Sequence, residues 1–267
     1  MRLVSKLSVA TGIIALALVP IAHAVSVTQL YITPANTLGW ADVSVNGGST
    51  SFVDGAPTGF GVASLQMQTD NSFTAQAAYL ESPGITLAQL TQASYWTKQL
   101  TTLNLSQTAN LVMDVDLNGD YMADTTLTYN PSMQPGGAPV QNNVWQYWDA
   151  TNGEFVSSKT YGSLTAGSSY SLSTIKQLYP AAQILIIGLQ VGPNTPSSVI
   201  DVDGLTLGTA VYDFERVVPT QNVVDVPKTI QDCKKYGWES LFMADGSGFK
   251  NQGQCVSYIV SSKAKVQ

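Results

Sequence analysis

Short runs of alternating apolar and polar residues, each cut off by glycine, proline or asparagine, dominate residues 25–216. Ser64-Leu65-Gln66-Met67-Gln68-Thr69 and Leu111-Val112-Met113-Asp114-Val115-Asp116 alternate at period two, which sends successive side chains to opposite faces of a strand. Leu127 and Tyr129 share a face. Ile184-Leu185-Ile186-Ile187 is an uninterrupted apolar run, expected of a strand buried on both faces. Val199–Gly204 and Ala210–Glu215 read as two strands joined at Gly208. Gly47-Gly48, Pro83-Gly84, Pro135-Gly136-Gly137, Asn152-Gly153 and Gly192-Pro193 supply the turns between runs. Helical patterns are short: Ser173 to Tyr179, stopped by Pro180, and Thr86 to Leu90. Many short strands without a long helix predict an all-β chain, a β-sandwich or jelly roll.

The hydrophobic share of 44% excludes disorder throughout. Only 11% of residues are charged, and small polar residues take their place. A net charge of -6 and an isoelectric point near 4.6 argue against a nucleic-acid partner. Residues 1–24 read as a secretory signal: Arg2 and Lys6, then the apolar Ile13–Val19, then Ala22-His23-Ala24 as a small-x-small cleavage site. The expected location is therefore secreted, extracellular or periplasmic, with no membrane span in the mature chain. The only histidine, His23, lies in that signal. Ser-His-Asp catalysis, Cys-His catalysis and an imidazole zinc site are excluded from a mature chain that lacks it.

Charge also divides the chain. Residues 25–216 hold 14 acidic and 4 basic side chains, whereas 217–267 hold 4 acidic and 6 basic. The change falls at Val217-Val218-Pro219-Thr220-Gln221-Asn222, which reads as a linker over 217–226. A sandwich over 25–216 and a small C-terminal module over 227–267 follow. Cys233 and Cys255, 22 positions apart in an exported chain, are expected to form a disulfide. The module is expected to be mostly helical. Thr229 caps a first turn with Asp232 three residues on, Gly237 stops it, and Asn251 caps a second helix through Cys255, Val256 and Ile259.

The strongest chemical motif is Asp114-Val115-Asp116-Leu117-Asn118-Gly119-Asp120-Tyr121-Met122-Ala123-Asp124. Oxygen ligands at alternate positions with glycine at the sixth are what a calcium loop needs. Asp114, Asp116 and Asn118 take positions one, three and five, Gly119 takes six, and Asp120 and Asp124 add oxygens. The twelfth position is Thr125 rather than Glu, a departure from the EF-hand. The expected cofactor is one structural calcium ion on Asp114, Asp116, Asn118, Asp120 and Asp124. The alternative is a tight hairpin with Asn118-Gly119 as a two-residue turn, pairing Val115 with Met122.

Trp145-Gln146-Tyr147-Trp148 puts Trp145 and Tyr147 on one face of a strand and Trp148 on the other. Exposed, Trp145 and Tyr147 form a stacking platform for a glycan; buried, they fill a sandwich core. Tyr95-Trp96 carries the same two readings, while Trp40 reads as core. Ser173-Thr174-Ile175-Lys176 fits S-x-x-K, but Ser-Asp-Asn and Lys-Thr-Gly are missing from the chain. Glu81, Glu154, Glu215 and Glu239 show no paired glycosidase pattern, and Glu215 reads as a strand-terminal ligand or surface charge. Asn104-Leu105-Ser106 is a glycosylation sequon.

The chain resembles a group of uncharacterised secreted bacterial proteins. The segments that carry the resemblance are Ser64–Thr69, Ser94–Thr97, Asp114–Asp120, Val144–Asp149 and Val202–Glu215. The tail is similar to one appended to many exported microbial proteins, here Asp232–Lys234, Gly237-Trp238 and Phe249–Val256. The resemblance implies a secreted sandwich of concanavalin-like or jelly-roll type and brings no catalytic residues. The functional expectation is a non-catalytic protein that binds an extracellular glycan or cell-surface component. A hydrolase with paired carboxylates and a structural matrix protein are the alternatives.

Overall fold

The computed structural model describes residues 28–101, 107–217, 229–234, 238 and 249–263. The expected signal at 1–24, the sequon at 104–106, most of the expected linker and Gly237 lie outside the described residues.

Two sheets face each other. The seven-stranded sheet is built on β14 (Val199–Leu207). One edge of β14 pairs with β7 (Ala93–Thr101), which pairs in turn with β10 (Trp145–Asp149). The other edge is shared. β4 (Ala63–Thr69) takes its first half and β15 (Ala210–Phe214) its second. β3 (Gly48–Asp54) extends the sheet beyond β4, and β1 (Thr28–Ile32) runs parallel to β15. The eight-stranded sheet runs β12 (Ser169–Ser171), β11 (Glu154–Ser157), β9 (Thr125–Tyr129), β8 (Asn110–Asp116), β13 (Gln183–Val191), β5 (Ala77–Glu81) and β2 (Ala41–Asp42). β6 (Ile85–Thr86) pairs with the start of β13.

The period-two pattern explains the core. Leu65 and Met67 from β4, Tyr95 from β7, and Val202 and Leu205 from β14 point inward from one sheet. Leu111, Met113 and Val115 from β8, Leu127 and Tyr129 from β9, and Ile187 and Leu189 from β13 meet them from the other. Burying such side chains stabilises the fold by about 1.5–3 kcal/mol each. Trp40 is core, stacked on Tyr79 at 5.8 Å and set edge-on to Tyr212 and Phe214.

Both short helical patterns form. Leu87–Gln89 is one 3-10 turn, where the Thr86 and Gln89 side chains cap each other's backbone. α1 (Leu172–Leu178) begins at Ser171, whose hydroxyl accepts from the Thr174 N–H. The expectation for Ile184–Ile187 is corrected. Ile184 and Ile187 are buried, but Leu185 and Ile186 are half-exposed, with a register shift between Ile184 and Ile186. The strand is central yet antiparallel, with one face toward the core and one outward.

In the C-terminal part, Cys233 and Cys255 form a disulfide, with Cα atoms 5.8 Å apart. α2 (Gln252–Lys263) follows Asn251, whose side chain accepts from the Gln254 N–H. Cys233, Phe249, Cys255 and Ile259 make a small separate core with Trp238 against it. The Asp232 carboxylate accepts from both the N–H and the hydroxyl of Thr229, around a turn rather than a helix. One helix is thus described where a mostly helical module was expected. No helix among the described residues is long and apolar enough to cross a membrane.

Candidate functional site: an aromatic and polar face on the seven-stranded sheet

Alternation on β7 buries Ala93, Tyr95, Thr97 and Gln99 and turns Trp96 and Lys98 to the outer face. The same rule on β10 sends Trp148 inward, where its indole N–H donates to Thr97 Oγ1 at 2.7 Å. Trp145 and Tyr147 therefore point outward. Register sets Tyr147 opposite Trp96 and Trp145 opposite Lys98. The Trp96 and Tyr147 rings lie 5.4 Å apart at 55°, and Tyr147 is 48% exposed. The platform expected from Trp145 and Tyr147 alone thus gains Trp96, which only the pairing of two distant strands brings in.

A polar ribbon continues from these rings across the same face. Register places Lys98 opposite Asp201 on β14, and Asp201 opposite Gln66 on β4. Gln66 Nε2 donates to Asp201 Oδ1 at 3.0 Å, and Gln68 Nε2 donates to Gln66 Oε1. Burial raises the Asp201 carboxyl above its ordinary range, while the Gln66 hydrogen bond and the Lys98 charge pull it down. Rings beside the Gln66 and Gln68 amides and the opposite charges of Lys98 and Asp201 make a surface that can stack on a sugar face and hydrogen-bond its hydroxyls.

Further along this face are three buried carboxyls that the sequence reading missed as a group: Asp203, Asp213 and Glu215. The segment over 55–62 lies across them. Glu215 Oε1 accepts from the Val62 and Ala63 N–H groups at 2.7 and 3.3 Å. Asp213 Oδ2 accepts from Gln29 Nε2 at 2.6 Å and, at 3.5 Å, from the Gly61 N–H. Asp203 Oδ1 accepts from the Gly204 and Phe214 N–H groups at 2.7 and 3.0 Å. Among the described residues, Asp203 Oδ2 and Asp213 Oδ1 have no hydrogen-bond donor within reach. Burial, with the Asp213 and Glu215 charges adding to it, pushes the Asp203 carboxyl up to about 8. Burial likewise raises Asp213 and Glu215. Gly204 has φ +58°, and a Cβ there would lie 2.5 Å from the Phe60 ring, so the covering segment requires glycine. Glu215, read as a surface charge or strand-terminal ligand, instead anchors the backbone of this segment.

The acidic loop joins β8 to β9 and occupies residues 117–124. Its strands pair Val115 with Thr125 and Met113 with Leu127, so the two-residue Asn118-Gly119 hairpin does not form. Asp116 is fully buried and is the hub. Its Oδ1 accepts from the Asn118 and Gly119 N–H groups and its Oδ2 from the Tyr121 N–H, at 2.6–3.0 Å. Burial alone would raise this carboxyl, but those backbone donors outweigh it and hold it below its ordinary range. Asp124 Oδ2 accepts from the Leu117 N–H, and Asn118 Nδ2 reaches Asp120 and Asp124 at 3.2 and 3.3 Å.

Asp114 stands apart from this network. It is paired with Thr126 on the strands, and its Oδ1 accepts from Thr126 Oγ1 at 2.6 Å. The loop's hydrogen bonds converge on Asp116, while Gly119, sixth when counted from Asp114, is left-handed at φ +87°. Counted from Asp116, Asn118 is third, Asp120 fifth, and Tyr121, also left-handed at φ +64°, is sixth. Among the described residues, no group of three His, Cys, Asp or Glu side chains is set at metal-holding distance. The Asn118 amide nitrogen holds the place between Asp120 and Asp124. Ser173 and Lys176 are also apart in role: Ser173 bonds Ser171, and Lys176 Nζ donates to the Leu90 carbonyl.

No protein-family model matches the chain, and no curated protein matches it in sequence. Among solved structures, the chain is similar to a family 11 carbohydrate-binding module from Clostridium thermocellum in complex with a β-1,3-1,4-mixed-linked tetrasaccharide. Identity there is 14% and TM-score 0.40, over 67% of this chain and 91% of that one. The family 11 module of a cellulosomal cellulase from the same organism matches at 13% identity and TM-score 0.43, over 70% and 98%. An arabinose-bound α-L-arabinofuranosidase matches at 12% identity and TM-score 0.38, over 66% and 24%. The two facing sheets define this chain as a β-sandwich protein.

Proposed function

We propose that the protein is exported and binds an extracellular glycan, or a glycan-bearing surface component, on the outer face of its seven-stranded sheet. The observation that carries this reading is the Trp96–Tyr147 ring pair, with Trp145 beside it and the Lys98, Asp201, Gln66 and Gln68 ribbon leading away. The rings remove apolar sugar faces from water, and the ribbon supplies donors and acceptors for hydroxyls. The binding is non-catalytic. Asp203, Asp213 and Glu215 are at most 1% exposed, and Asp201, on the face itself, is 3% exposed and held by Gln66, so no pair of carboxyls stands open to a sugar ring.

One calcium ion supports the fold in this reading. Asp116, Asn118, Asp120 and Asp124 would hold it, with the Met122 carbonyl at the seventh position. Three carboxylates in one loop with no cationic side chain among them are the supporting observation. Binding requires the Asn118 amide to turn away from Asp120 and Asp124. A glycan-array screen with calcium and with chelator, repeated on Tyr147→Ala, tests the reading. Loss of the array signal in Tyr147→Ala supports it, and binding to no glycan refutes it.

A further inference from the structure

The connection between β3 and β4, residues 55–62, folds back over the outer face of β14 and β15. Its sequence, Gly-Ala-Pro-Thr-Gly-Phe-Gly-Val, carries no titratable side chain. One internal bond closes its base, from the Gly55 N–H to the Val62 carbonyl at 2.7 Å. Another shapes its tip, from the Phe60 N–H to the Pro57 carbonyl at 3.1 Å. Among the described residues, its backbone bonds to the sheet beneath go to carboxyls: Val62 N–H to Glu215 and Gly61 N–H to Asp213. The fit is close, because a Cβ at Gly61 would overlap Glu215 Oε1. Gly55, at φ +108° with open space around it, stands where the segment leaves β3.

Asp203, Asp213 and Glu215 lie beneath, each at most 1% exposed. The groups around them offer little neutralising charge. Arg216 follows Glu215 in sequence but turns to Asp54 at 3.1 Å and to the Phe52 carbonyl. Lys98 faces Asp201, two residues before Asp203 on β14. β1 brings Tyr31, whose hydroxyl is held above its ordinary range by burial and by the Asp213 and Glu215 charges. β4 brings no titratable group. The Asp213 and Glu215 carboxyls come within hydrogen-bond reach of each other, an approach that needs a proton between them. As full carboxylates, the three would require water that the segment over them excludes.

That conflict links the segment to pH. Opening admits water and returns the carboxyls toward their ordinary range, so the open form binds fewer protons than the closed one. Opening is therefore favoured as pH rises and suppressed as it falls. We propose that residues 55–62 are a proton-operated cover, closed over Asp203, Asp213 and Glu215 while protons are shared among them and released from the sheet when those protons leave. Register sets Asp203 opposite Trp96, so release uncovers the sheet beside the aromatic pair.

The test is amide hydrogen exchange of the full chain, followed by NMR at steps from about pH 5 to about pH 9. Base catalysis alone accelerates exchange about tenfold per pH unit, and opening that releases one proton adds a second factor of about ten. The Gly61 and Val62 amides should therefore accelerate by about a hundredfold per unit until the pH passes the closed-state value of Asp203, about 8. They should also exchange ahead of the Met113 amide on central β8, which marks the opening as local. Asp203→Asn should remove most of the excess, and adding Glu215→Gln should bring the slope to about tenfold. Both substitutions keep an acceptor oxygen for the backbone N–H groups, and Asp203→Asn decides alone where the double variant does not fold. A tenfold slope in wild type would overturn the proposal, as would an excess unchanged in Asp203→Asn. So would Gly61 and Val62 exchanging no faster than Met113 at every pH. Acceleration by a chelator at constant pH would also overturn it, because a metal ion rather than protons would then hold the carboxyls together.

Discussion

Asp203→Asn should make the protein more stable in mild alkali without changing its stability in acid. The Asp203 carboxyl is fully buried on β14, with one oxygen bonded to two backbone N–H groups and the other unpartnered. Burial, aided by the Asp213 and Glu215 charges, holds its proton up to about 8, against an ordinary value of 3.8. Between those values the unfolded chain binds fewer protons than the folded chain. Stability therefore falls as pH rises, by up to ~1.4 kcal/mol per pH unit from this group. The loss begins near the ordinary value and is complete once pH exceeds the folded value. Its full span, about four pH units at that slope, is on the order of 6 kcal/mol. Asparagine keeps the oxygen that accepts from Gly204 and Phe214 and cannot ionise. Urea unfolding of both proteins at steps from about pH 4 to about pH 9 reads the difference. The variant should match wild type at the acid end and exceed it by several kcal/mol at the alkaline end. A difference that stays constant across the range, or a variant less stable at the alkaline end, would refute the reasoning.

Four further outcomes follow from the structure. The melting temperature should rise with calcium, by the equivalent of about 2.7 kcal/mol at a hundredfold excess over Kd. Asp116→Ala should abolish that rise and, without calcium, cost about 2–4 kcal/mol, because three backbone N–H groups lose their acceptor. Asp54→Ala removes only an exposed pair with Arg216, so it should change stability by about 0.5 kcal/mol or less and keep the calcium response. Reducing the Cys233–Cys255 bridge, which spans 22 positions, should destabilise the C-terminal part by about 3 kcal/mol, seen as earlier proteolysis there with the sandwich intact.

The strands were legible because period two is a local signal: Leu111, Met113 and Val115 face the core as their spacing requires. Capping was legible for the same reason at Asn251, while the caps at Thr86 and Ser171 were not read. What sequence does not display is which strand lies beside which. Trp96 joins Tyr147 through a pairing about fifty positions long, and Asp203 meets Asp213 and Glu215 only because β14 and β15 share an edge. The acidic loop was legible as a motif, but its internal hydrogen bonds were not. Asp114 lies on the strand and bonds Thr126, and the loop has two left-handed residues, Gly119, whose type signals a turn, and Tyr121, whose type does not. Ile184–Ile187 misled because an apolar run looks alike whether one face or both are covered. Ile186 is half-exposed on the outer face.

The aromatic face is tested most directly by isothermal titration of wild type, Trp96→Ala and Tyr147→Ala with the best glycan from an array screen. Tyr147 is half-exposed and touches the Trp96 ring, so its removal should leave the melting temperature nearly unchanged. The account predicts that either substitution weakens binding by about tenfold or more, roughly 1.4 kcal/mol at least. Undiminished affinity in both folded variants would contradict it.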